Sequence, residues 1–322
     1  MLGNTAGLPR VLVYHAREPV ARRYVEELVA LGYPAAQLAY ACSEAEAIER
    51  LDTAEVLLAW RFPPPLMAFA PRLRWVQSMG AGVDDLAQNP ALPRDCLVTR
   101  VVGQFGDPIA EYVFAYLLYL YKGLDRAISQ QADREWAPWR PDELGGRTIG
   151  LAGVGSIGQA IAVRAKAFNM RVCGLSRTKS LSAQVDEHFA PDEWAAFVAR
   201  CDAVVLALPL TPQTTRVVDA GVLAAMRDDA VLVNVGRGQL LDEDALVQTL
   251  CAGRLRAAVL DVFDEEPLPA LHPLWTAPRA YITPHIAGPS QISQVCAFFA
   301  DNLVRDGKGL PLLGVVDRER GY

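Results

Sequence analysis

Thr148-Ile-Gly-Leu-Ala-Gly-Val-Gly-Ser-Ile-Gly158 decides the fold of this chain. The stretch predicts a short apolar strand that enters the pattern Gly153-Val-Gly155-Ser-Ile-Gly158 and continues into a helix over residues 157–168. Its glycines suit a tight turn, close approach of a pyrophosphate and close helix packing, and the helix N-terminus adds amides and a positive dipole. Strand, turn and helix stand in the order that a dinucleotide site requires. We therefore predict that the cofactor binds Gly153, Gly155, Ser156, Ile157 and Gly158. A glycine-rich turn needed only for packing is the alternative.

Apolar strand-like runs and helical segments alternate on both sides of this turn. Six runs lie in the second part of the chain, at residues 148–152, 172–175, 203–208, 230–234, 257–260 and 281–283. Four lie in the first third, at residues 11–14, 55–60, 74–78 and 96–101. Short apolar strands separated by helices predict parallel sheets covered on both faces, and six strands match the count of a doubly wound nucleotide-binding sheet.

The length of 322 residues suits two domains or one large α/β unit. A long helix is predicted over residues 108–136 as a link between domains, and another over residues 289–306 leads back to the first domain. We predict an α/β protein of two doubly wound parallel-sheet domains. A Rossmann-type nucleotide-binding domain, residues 106–286, is inserted in a flavodoxin-like substrate domain made of residues 1–105 and 287–322.

Composition argues against several other classes of protein. The formal charge of −6, with no basic block, offers no footprint for nucleic acid or anionic lipid. The longest apolar stretch, residues 112–121, is too short to span a bilayer, and the N-terminus has no export signal, so we expect a cytoplasmic protein that does not bind membranes. The six cysteines form no CxxC pair, and no histidine stands at metal-ligand spacing, so no metal site is predicted.

The second strand of the nucleotide-binding series ends in Leu175-Ser176-Arg177-Thr178-Lys179. An NAD-binding protein usually carries an acidic residue here to accept the ribose hydroxyls, but none occurs before Asp186. An arginine fork can hold a 2′-phosphate, with Lys179 as a further charge and the hydroxyls of Ser176 and Thr178 as further donors. NADP(H) is therefore favoured over NAD(H). The alternative is that Arg177 and Lys179 are solvated surface charges.

Three complementary side chains follow predicted strands: Arg237 within Gly236-Arg-Gly238, Glu266, and His285. Hydride transfer to a keto acid requires a cation that holds the carboxylate and polarises the carbonyl, an acid that protonates the developing alkoxide, and a partner for that acid. Taken singly, the three could be a turn cation, a helix-start acid and a core histidine. Their placement at successive strand ends predicts a catalytic set.

Over nearly its whole length the chain resembles the D-isomer-specific 2-hydroxyacid dehydrogenase family. The matching stretches are residues 153–158, Leu208-Pro-Leu-Thr-Pro-Gln-Thr214, Val233-Asn-Val-Gly-Arg-Gly238, Leu260-Asp-Val-Phe-Asp-Glu-Glu-Pro-Leu-Pro269 and Thr283-Pro-His-Ile-Ala-Gly288. Within that family, Met79-Gly-Ala-Gly-Val-Asp84, Ser176-Arg-Thr178 and residues 316–322 are similar to the glyoxylate/hydroxypyruvate reductase A group. That group is NADPH-linked, which agrees with the interpretation of Arg177.

The resemblance implies that His285 donates the proton to the substrate oxygen and that Glu266 hydrogen-bonds to His285. Arg237 would hold the substrate carboxylate and keto oxygen. Further residues are implied to contact substrate or cofactor: the backbone amides of Gly80, Ala81 and Gly82 at the substrate carboxylate, and Leu208, Pro209 and Asp261 at the cofactor. For Gly80 and Gly82 an ordinary strand-to-helix turn is the alternative, and for Asp261 a structural carboxylate. The helix predicted over residues 108–136 would form a homodimer interface.

Trp60, Trp139 and Trp275 are candidates for the pocket wall or, equally, for core or interface positions. The chain departs from the family at Gly236, where alanine is usual, and after Trp60, where the reductase group commonly has histidine. Residues 101–107 follow no family pattern.

We predict an NADPH-dependent reductase of small 2-keto acids that forms D-2-hydroxy acids. An NAD-linked D-2-hydroxyacid dehydrogenase is the alternative within the same reaction class. A binding protein that senses the dinucleotide on the same fold is the alternative from a different class.

Overall fold

The computed structural model describes residues 8–87, 89–178 and 183–318, and the chain divides into two compact units. Unit 1 comprises Met1–Gln104 and Ser290–Tyr322, and unit 2 comprises Phe105–Pro289. The assignment of unit 1 as the substrate domain and unit 2 as the nucleotide-binding domain stays a prediction, as do the predicted boundaries at residues 105 and 287.

Unit 1 is built on a five-stranded parallel sheet with the order β2-β1-β3-β4-β5. The strands are β1 Val11–Tyr14, β2 Leu38–Ala41, β3 Val56–Ala59, β4 Trp75–Ser78 and β5 Leu97–Thr99. This order is the flavodoxin-like arrangement, which confirms the predicted fold class. Strand β2 was not predicted, because this edge strand is short and half-buried and carries no continuous apolar run.

The helices of unit 1 are α1 Glu18–Ala30, α2 Glu44–Leu51, α3 Asp84–Ala87 and α10 Ile292–Gly307. A buried polar network joins α10 to the sheet: Asn302 Nδ2 donates to Gln77 Oε1 at 3.2 Å, and Thr99 Oγ1 donates to the same oxygen at 2.7 Å. Asn302 also accepts from Leu313 N at 2.7 Å. Buried polar groups are costly unless they are paired, so this network fixes the C-terminal segment to β4 and β5.

Unit 2 is built on a seven-stranded parallel sheet with the order β12-β11-β10-β9-β6-β7-β8. The strands are β6 Thr148–Ala152, β7 Arg171–Leu175, β8 Glu187–Phe189, β9 Ala203–Leu206, β10 Val231–Asn234, β11 Ala257–Leu260 and β12 Ala280–Ile282. The central strands are buried along their whole length, which explains why they are continuous apolar runs in the sequence. The prediction of six strands missed β8, whose sequence Glu-His-Phe has no apolar run.

The helices of unit 2 are α4 Gly106–Lys122, α5 Leu124–Asp133, α6 Ser156–Ala167, α7 Trp194–Ala199, α8 Ala220–Ala225 and α9 Glu243–Cys251. The prediction of one helix over residues 108–136 is wrong. Gly123 has φ +65°, the left-handed conformation that ends α4, and α5 begins immediately after it. The apolar stretch 112–121 lies within α4. In the described part of the chain, no helix has both the length and the hydropathy required to cross a membrane.

Candidate functional site

The glycine turn connects β6 to α6, as predicted, and its three glycines have different surroundings. Gly153 has φ +100°, and a Cβ there would lie 2.5 Å from the Ala207 carbonyl oxygen. A Cβ on Gly158 would lie 2.1 Å from the Gly153 carbonyl oxygen. A Cβ on Gly155 would meet no atom within 4 Å. Packing of the chain therefore requires the first and third glycines, whereas the second faces open space.

Helix α6 begins at Ser156, with Gly155 as an N-cap that has no side chain. The first-turn amides of Ser156, Ile157 and Gly158 have no acceptor within the helix. Three amides, the positive end of the helix dipole and the open space at Gly155 form a cradle that fits the pyrophosphate of a dinucleotide.

A pair of alanine substitutions tests this interpretation of the turn. Gly155→Ala should fold with a loss of at most about 1 kcal/mol, because the backbone at φ −76° and ψ −161° suits alanine. Its methyl group should nevertheless weaken NADPH binding by roughly tenfold or more, because it occupies the cradle. Gly158→Ala should lower the melting temperature strongly instead. Calorimetric titration and thermal unfolding of both variants are the measurements, and a Gly155→Ala protein that binds NADPH like the wild type would contradict the assignment.

The residues predicted for the 2′-phosphate follow β7. Ser176 is half-buried, Arg177 and Thr178 are exposed, and Lys179 lies outside the described residues. Asp186, the first acidic residue after them, lies at the other end of the strand: its Oδ2 accepts from Val172 N at 2.7 Å, and Lys166 binds the same carboxylate. Asp186 is therefore not placed to accept ribose hydroxyls at the carboxyl end of β7.

Leu208 and Pro209 follow β9, the strand between β6 and β10. The amide nitrogen of Leu208 would lie 3.2 Å from a Cβ on Gly153, and its carbonyl oxygen would lie 3.1 Å from a Cβ on Gly236. This segment therefore adjoins both the glycine turn and the Arg237 turn. Its position is consistent with the predicted contact to the cofactor.

The three predicted catalytic residues follow β10, β11 and β12, which are neighbours in the parallel sheet and end at the same edge. His285 Nδ1 lies 2.9 Å from Glu266 Oε2, and Glu266 Oε1 accepts from Phe263 N at 3.2 Å. Because Nδ1 faces a carboxylate, it carries a hydrogen, and Nε2 is the ring nitrogen that can exchange a proton elsewhere. Arg237 occupies the neighbouring strand end, with Nη1 donating to the Gly236 carbonyl oxygen at 2.6 Å.

The backbone at His285 is held in the left-handed region, with φ +55°, by the carboxylate of Asp261. Asp261 Oδ1 accepts from Thr283 Oγ1 at 2.5 Å and from Ile286 N at 2.8 Å, and Oδ2 accepts from Ala287 N at 2.8 Å. The side chain is 2% exposed. Both of its oxygens are used within the chain, which favours the structural interpretation of Asp261 over a cofactor contact. A strained φ persists only where such bonds fix it.

Gly238 and Glu243, to which the sequence assigned no separate role, align the Arg237 turn with the loop that carries Glu266. A Cβ on Gly238 would lie 1.8 Å from the Phe263 carbonyl carbon, so only glycine permits this approach. Buried Glu243 accepts from Asp264 N at 2.9 Å, and burial raises the pKa of its carboxyl group. An acid in the first turn of a helix is ordinary, so no sequence signal marked Glu243.

In unit 1, the segments that follow β3 and β4 lie side by side, because Ala59 pairs with Ser78. Of the three amides predicted to bind the substrate carboxylate, that of Gly80 donates to Ser78 Oγ at 3.1 Å. The Gly80 amide is thus used within the chain, and the predicted contact with the substrate carboxylate is kept for the amides of Ala81 and Gly82. Trp60 follows β3 and is 42% exposed.

Trp139 packs against the junction of α4 and α5, and Trp275 binds its own loop. Trp139 Nε1 would lie 3.0 Å from a Cβ on Gly123, and the Arg126 guanidinium lies 5.0 Å from the Trp139 ring centroid. Trp275 Nε1 donates to the Pro269 carbonyl oxygen at 2.9 Å. Their role in a pocket wall stays a prediction. Within the described ranges, no three His, Cys, Asp or Glu side chains are arranged to hold a metal ion.

The chain is similar to known proteins in family, sequence and structure. The family model described as "D-isomer specific 2-hydroxyacid dehydrogenase, NAD binding domain" matches residues 114–287. The chain is 34% identical over 275 residues to glyoxylate/hydroxypyruvate reductase A of Serratia proteamaculans, covering 84% of this chain and 88% of that protein.

Two similar solved structures contain NADP. The NADPH-dependent glyoxylate/hydroxypyruvate reductase of Sinorhizobium meliloti, in complex with NADP and sulfate, is 30% identical with a TM-score of 0.88, covering 97% of this chain and 99% of that chain. A probable 2-hydroxyacid dehydrogenase of Rhizobium etli, in complex with NADP, HEPES and L(+)-tartaric acid, is 31% identical with a TM-score of 0.86, covering 98% and 100%.

Proposed function

The chain belongs to the D-isomer specific 2-hydroxyacid dehydrogenase family, and from that premise we propose that it is an NADPH-dependent reductase of glyoxylate, hydroxypyruvate or similar small 2-keto acids. The products would be D-2-hydroxy acids. As a member of this family it is an NAD(P)-dependent 2-hydroxyacid dehydrogenase. The observation that carries the proposal is the contact of 2.9 Å between His285 Nδ1 and Glu266 Oε2, at the sheet edge where the Arg237 turn also lies.

In the proposed reaction the bound dinucleotide supplies the hydride. His285 holds a proton on Nε2 and gives it to the substrate oxygen as negative charge develops there. Glu266 stabilises the imidazolium and fixes the ring by its bond to Nδ1. Arg237 holds the carboxylate and polarises the keto group with a planar fork that lysine cannot reproduce. The amides of Ala81 and Gly82 are proposed as further donors to the carboxylate, and Trp60 as part of the pocket.

The preference for NADPH over NADH rests on charge at the carboxyl end of β7. Arg177 is exposed there, and Asp186 is held at the opposite end of the strand by Val172 and Lys166. A cationic, non-acidic strand end suits a 2′-phosphate better than a pair of ribose hydroxyls. The NADP complexes of the Sinorhizobium and Rhizobium relatives support the same preference. NAD(H) remains the alternative cofactor.

We further propose a homodimer that associates through α5 and the segment after it. Leu124 and Ile128 on α5 are 44% and 60% exposed, and Trp136 is 96% exposed. Burial of these exposed apolar side chains against a second subunit would favour association. A sedimentation mass near twice the chain mass of 35.0 kDa is the expected result, and a mass of one chain would overturn the proposal. A cytoplasmic location and the absence of nucleic-acid and membrane partners stay predictions.

The function is tested by initial rates of NADPH and NADH oxidation, followed by absorbance, with glyoxylate, hydroxypyruvate, pyruvate and phenylpyruvate. We expect fast NADPH oxidation with the first two acids and slow oxidation of NADH. A preference for a bulky acid would contradict the proposed substrate but leave the proposed mechanism unchanged. A preference for NADH would favour the NAD-linked dehydrogenase. Tight NADPH binding without turnover of any acid would favour the dinucleotide sensor.

A further inference from the structure

His188, a residue of the short strand β8, contacts the loop predicted to bind the 2′-phosphate. Its Nε2 lies 2.9 Å from Ser176 Oγ. The backbone makes a second link between the same two segments, because Ser176 N donates to the Phe189 carbonyl oxygen at 3.1 Å. The start of the 176–178 loop is thus attached to β8 by one backbone bond and one side-chain bond.

The hydrogen positions in this contact follow from the partners of Ser176. Its hydroxyl group lies 2.7 Å from the Thr178 carbonyl oxygen, which can only accept. A serine hydroxyl has one hydrogen, so that hydrogen belongs to the bond with Thr178. His188 Nε2 must therefore carry a hydrogen and donate it to Ser176 Oγ. The Nε2–H form of the ring meets this requirement, and the Nδ1–H tautomer does not.

The same contact lies on the face of the sheet that carries the glycine turn. Gly174 pairs with His188, and paired residues of parallel strands direct their side chains to one face. On that face, Val154 of the glycine turn lies close: its Cγ2 would be 2.8 Å from a Cβ on Gly174. His188 therefore lies on the same face of the sheet as the glycine turn, and it contacts the loop that would hold the 2′-phosphate.

We propose that His188 is a positioning residue for recognition of the 2′-phosphate: its Nε2–H bond to Ser176, together with the bond from Ser176 to Thr178, holds the 176–178 loop in the shape that presents Arg177 to NADP. The inference rests on the proposed preference for NADPH and deepens it. The loop conformation is fixed before the cofactor arrives, and this lowers the ordering cost of binding. Only cofactors that carry the 2′-phosphate should bind more tightly because of this fixed loop conformation.

Direct binding to the whole protein, measured by calorimetric titration, tests the inference without reference to catalysis. The ligands are NADPH, NADH and adenosine 2′,5′-bisphosphate, which carries the 2′-phosphate but no nicotinamide. His188→Ala should weaken the binding of NADPH and of adenosine 2′,5′-bisphosphate by up to about tenfold, the effect of one lost hydrogen bond, and should leave the Kd for NADH unchanged. His188→Gln places an amide N–H near the position of Nε2 and should restore most of the affinity.

A matched control lies next to His188 on the same strand. The side chain of Glu187 points to the opposite face of the sheet, where its Oε2 accepts from Arg171 Nη2 at 2.8 Å. Glu187→Gln should therefore leave all three affinities unchanged. An unchanged Kd for NADPH in His188→Ala, or equal weakening of NADPH and NADH, would overturn the inference. If Arg177→Ala weakens NADPH binding while His188→Ala does not, the cofactor proposal stands and only the role of His188 fails. If the wild-type protein binds NADH as tightly as NADPH, the premise itself fails.

Discussion

His285→Gln is expected to lower kcat by about 10²- to 10⁴-fold while the Kd for NADPH stays within about twofold of the wild type, the range that loss of a general acid usually produces. The glutamine amide takes the place of Nε2, so the bond from Nδ1 to Glu266 is lost, and the amide cannot deliver a proton to a developing alkoxide. The substitution should change the chemistry without changing the backbone, because Asp261 holds the backbone around His285 through bonds that the His285 side chain does not make. The loop should keep its conformation in the variant.

The measurement is steady-state reduction of hydroxypyruvate with saturating NADPH, together with calorimetric binding of NADPH. His15→Asn is the control, because His15 lies in unit 1, where its Nδ1 accepts from Arg17 N. Wild-type turnover in His285→Gln would contradict the proposed acid. Lost turnover together with lost NADPH affinity would instead indicate that His285 supports the fold or the cofactor site.

Sequence reasoning predicted the parts of this fold that have continuous apolar strands. The strands β6, β9, β10 and β11 are buried on both faces, so their sequences are unbroken runs. The strands β2 and β8 lie at the edges of their sheets, where half of the surface stays accessible and polar residues are tolerated. Missing β8 also meant missing His188, whose contact with Ser176 crosses 12 residues of chain.

The candidate site was predictable where chemistry requires a particular side chain at a strand end, as it does for Arg237, Glu266 and His285. Their supporting residues were not, because their roles depend on tertiary contacts. Glu243 has the sequence context of an ordinary first-turn acid, yet it holds the loop of Glu266 through Asp264 N. The helix predicted over residues 108–136 failed for a local reason: Gly123 adopts a left-handed conformation that a periodic apolar pattern does not reveal.

Gly238→Ala is expected to lower the free energy of unfolding by about 3 kcal/mol and kcat by roughly 10²-fold, because an added Cβ has no space and the two catalytic loops must separate. The nearest atoms are all backbone: the carbonyl carbon of Phe263 at 1.8 Å, its oxygen at 2.2 Å and Asp264 N at 2.3 Å. No side chain can rotate away to relieve the overlap. Either the turn after Arg237 or the loop before Glu266 must move.

The separation should displace both Arg237 and Glu266. The segment after Arg237 is bonded to the loop of Glu266, because Gln239 donates to the Asp264 carbonyl oxygen and Glu243 accepts from Asp264 N. Thermal unfolding and steady-state kinetics measure the two effects. Gly307→Ala is the matched control: a Cβ there meets no atom within 4 Å, and alanine in the last turn of α10 should be neutral or stabilising by up to about 1 kcal/mol. A Gly238→Ala protein with unchanged stability and turnover would show that the two loops are not coupled. A loss of stability with unchanged kcat would show that the contact supports the fold without setting the catalytic geometry.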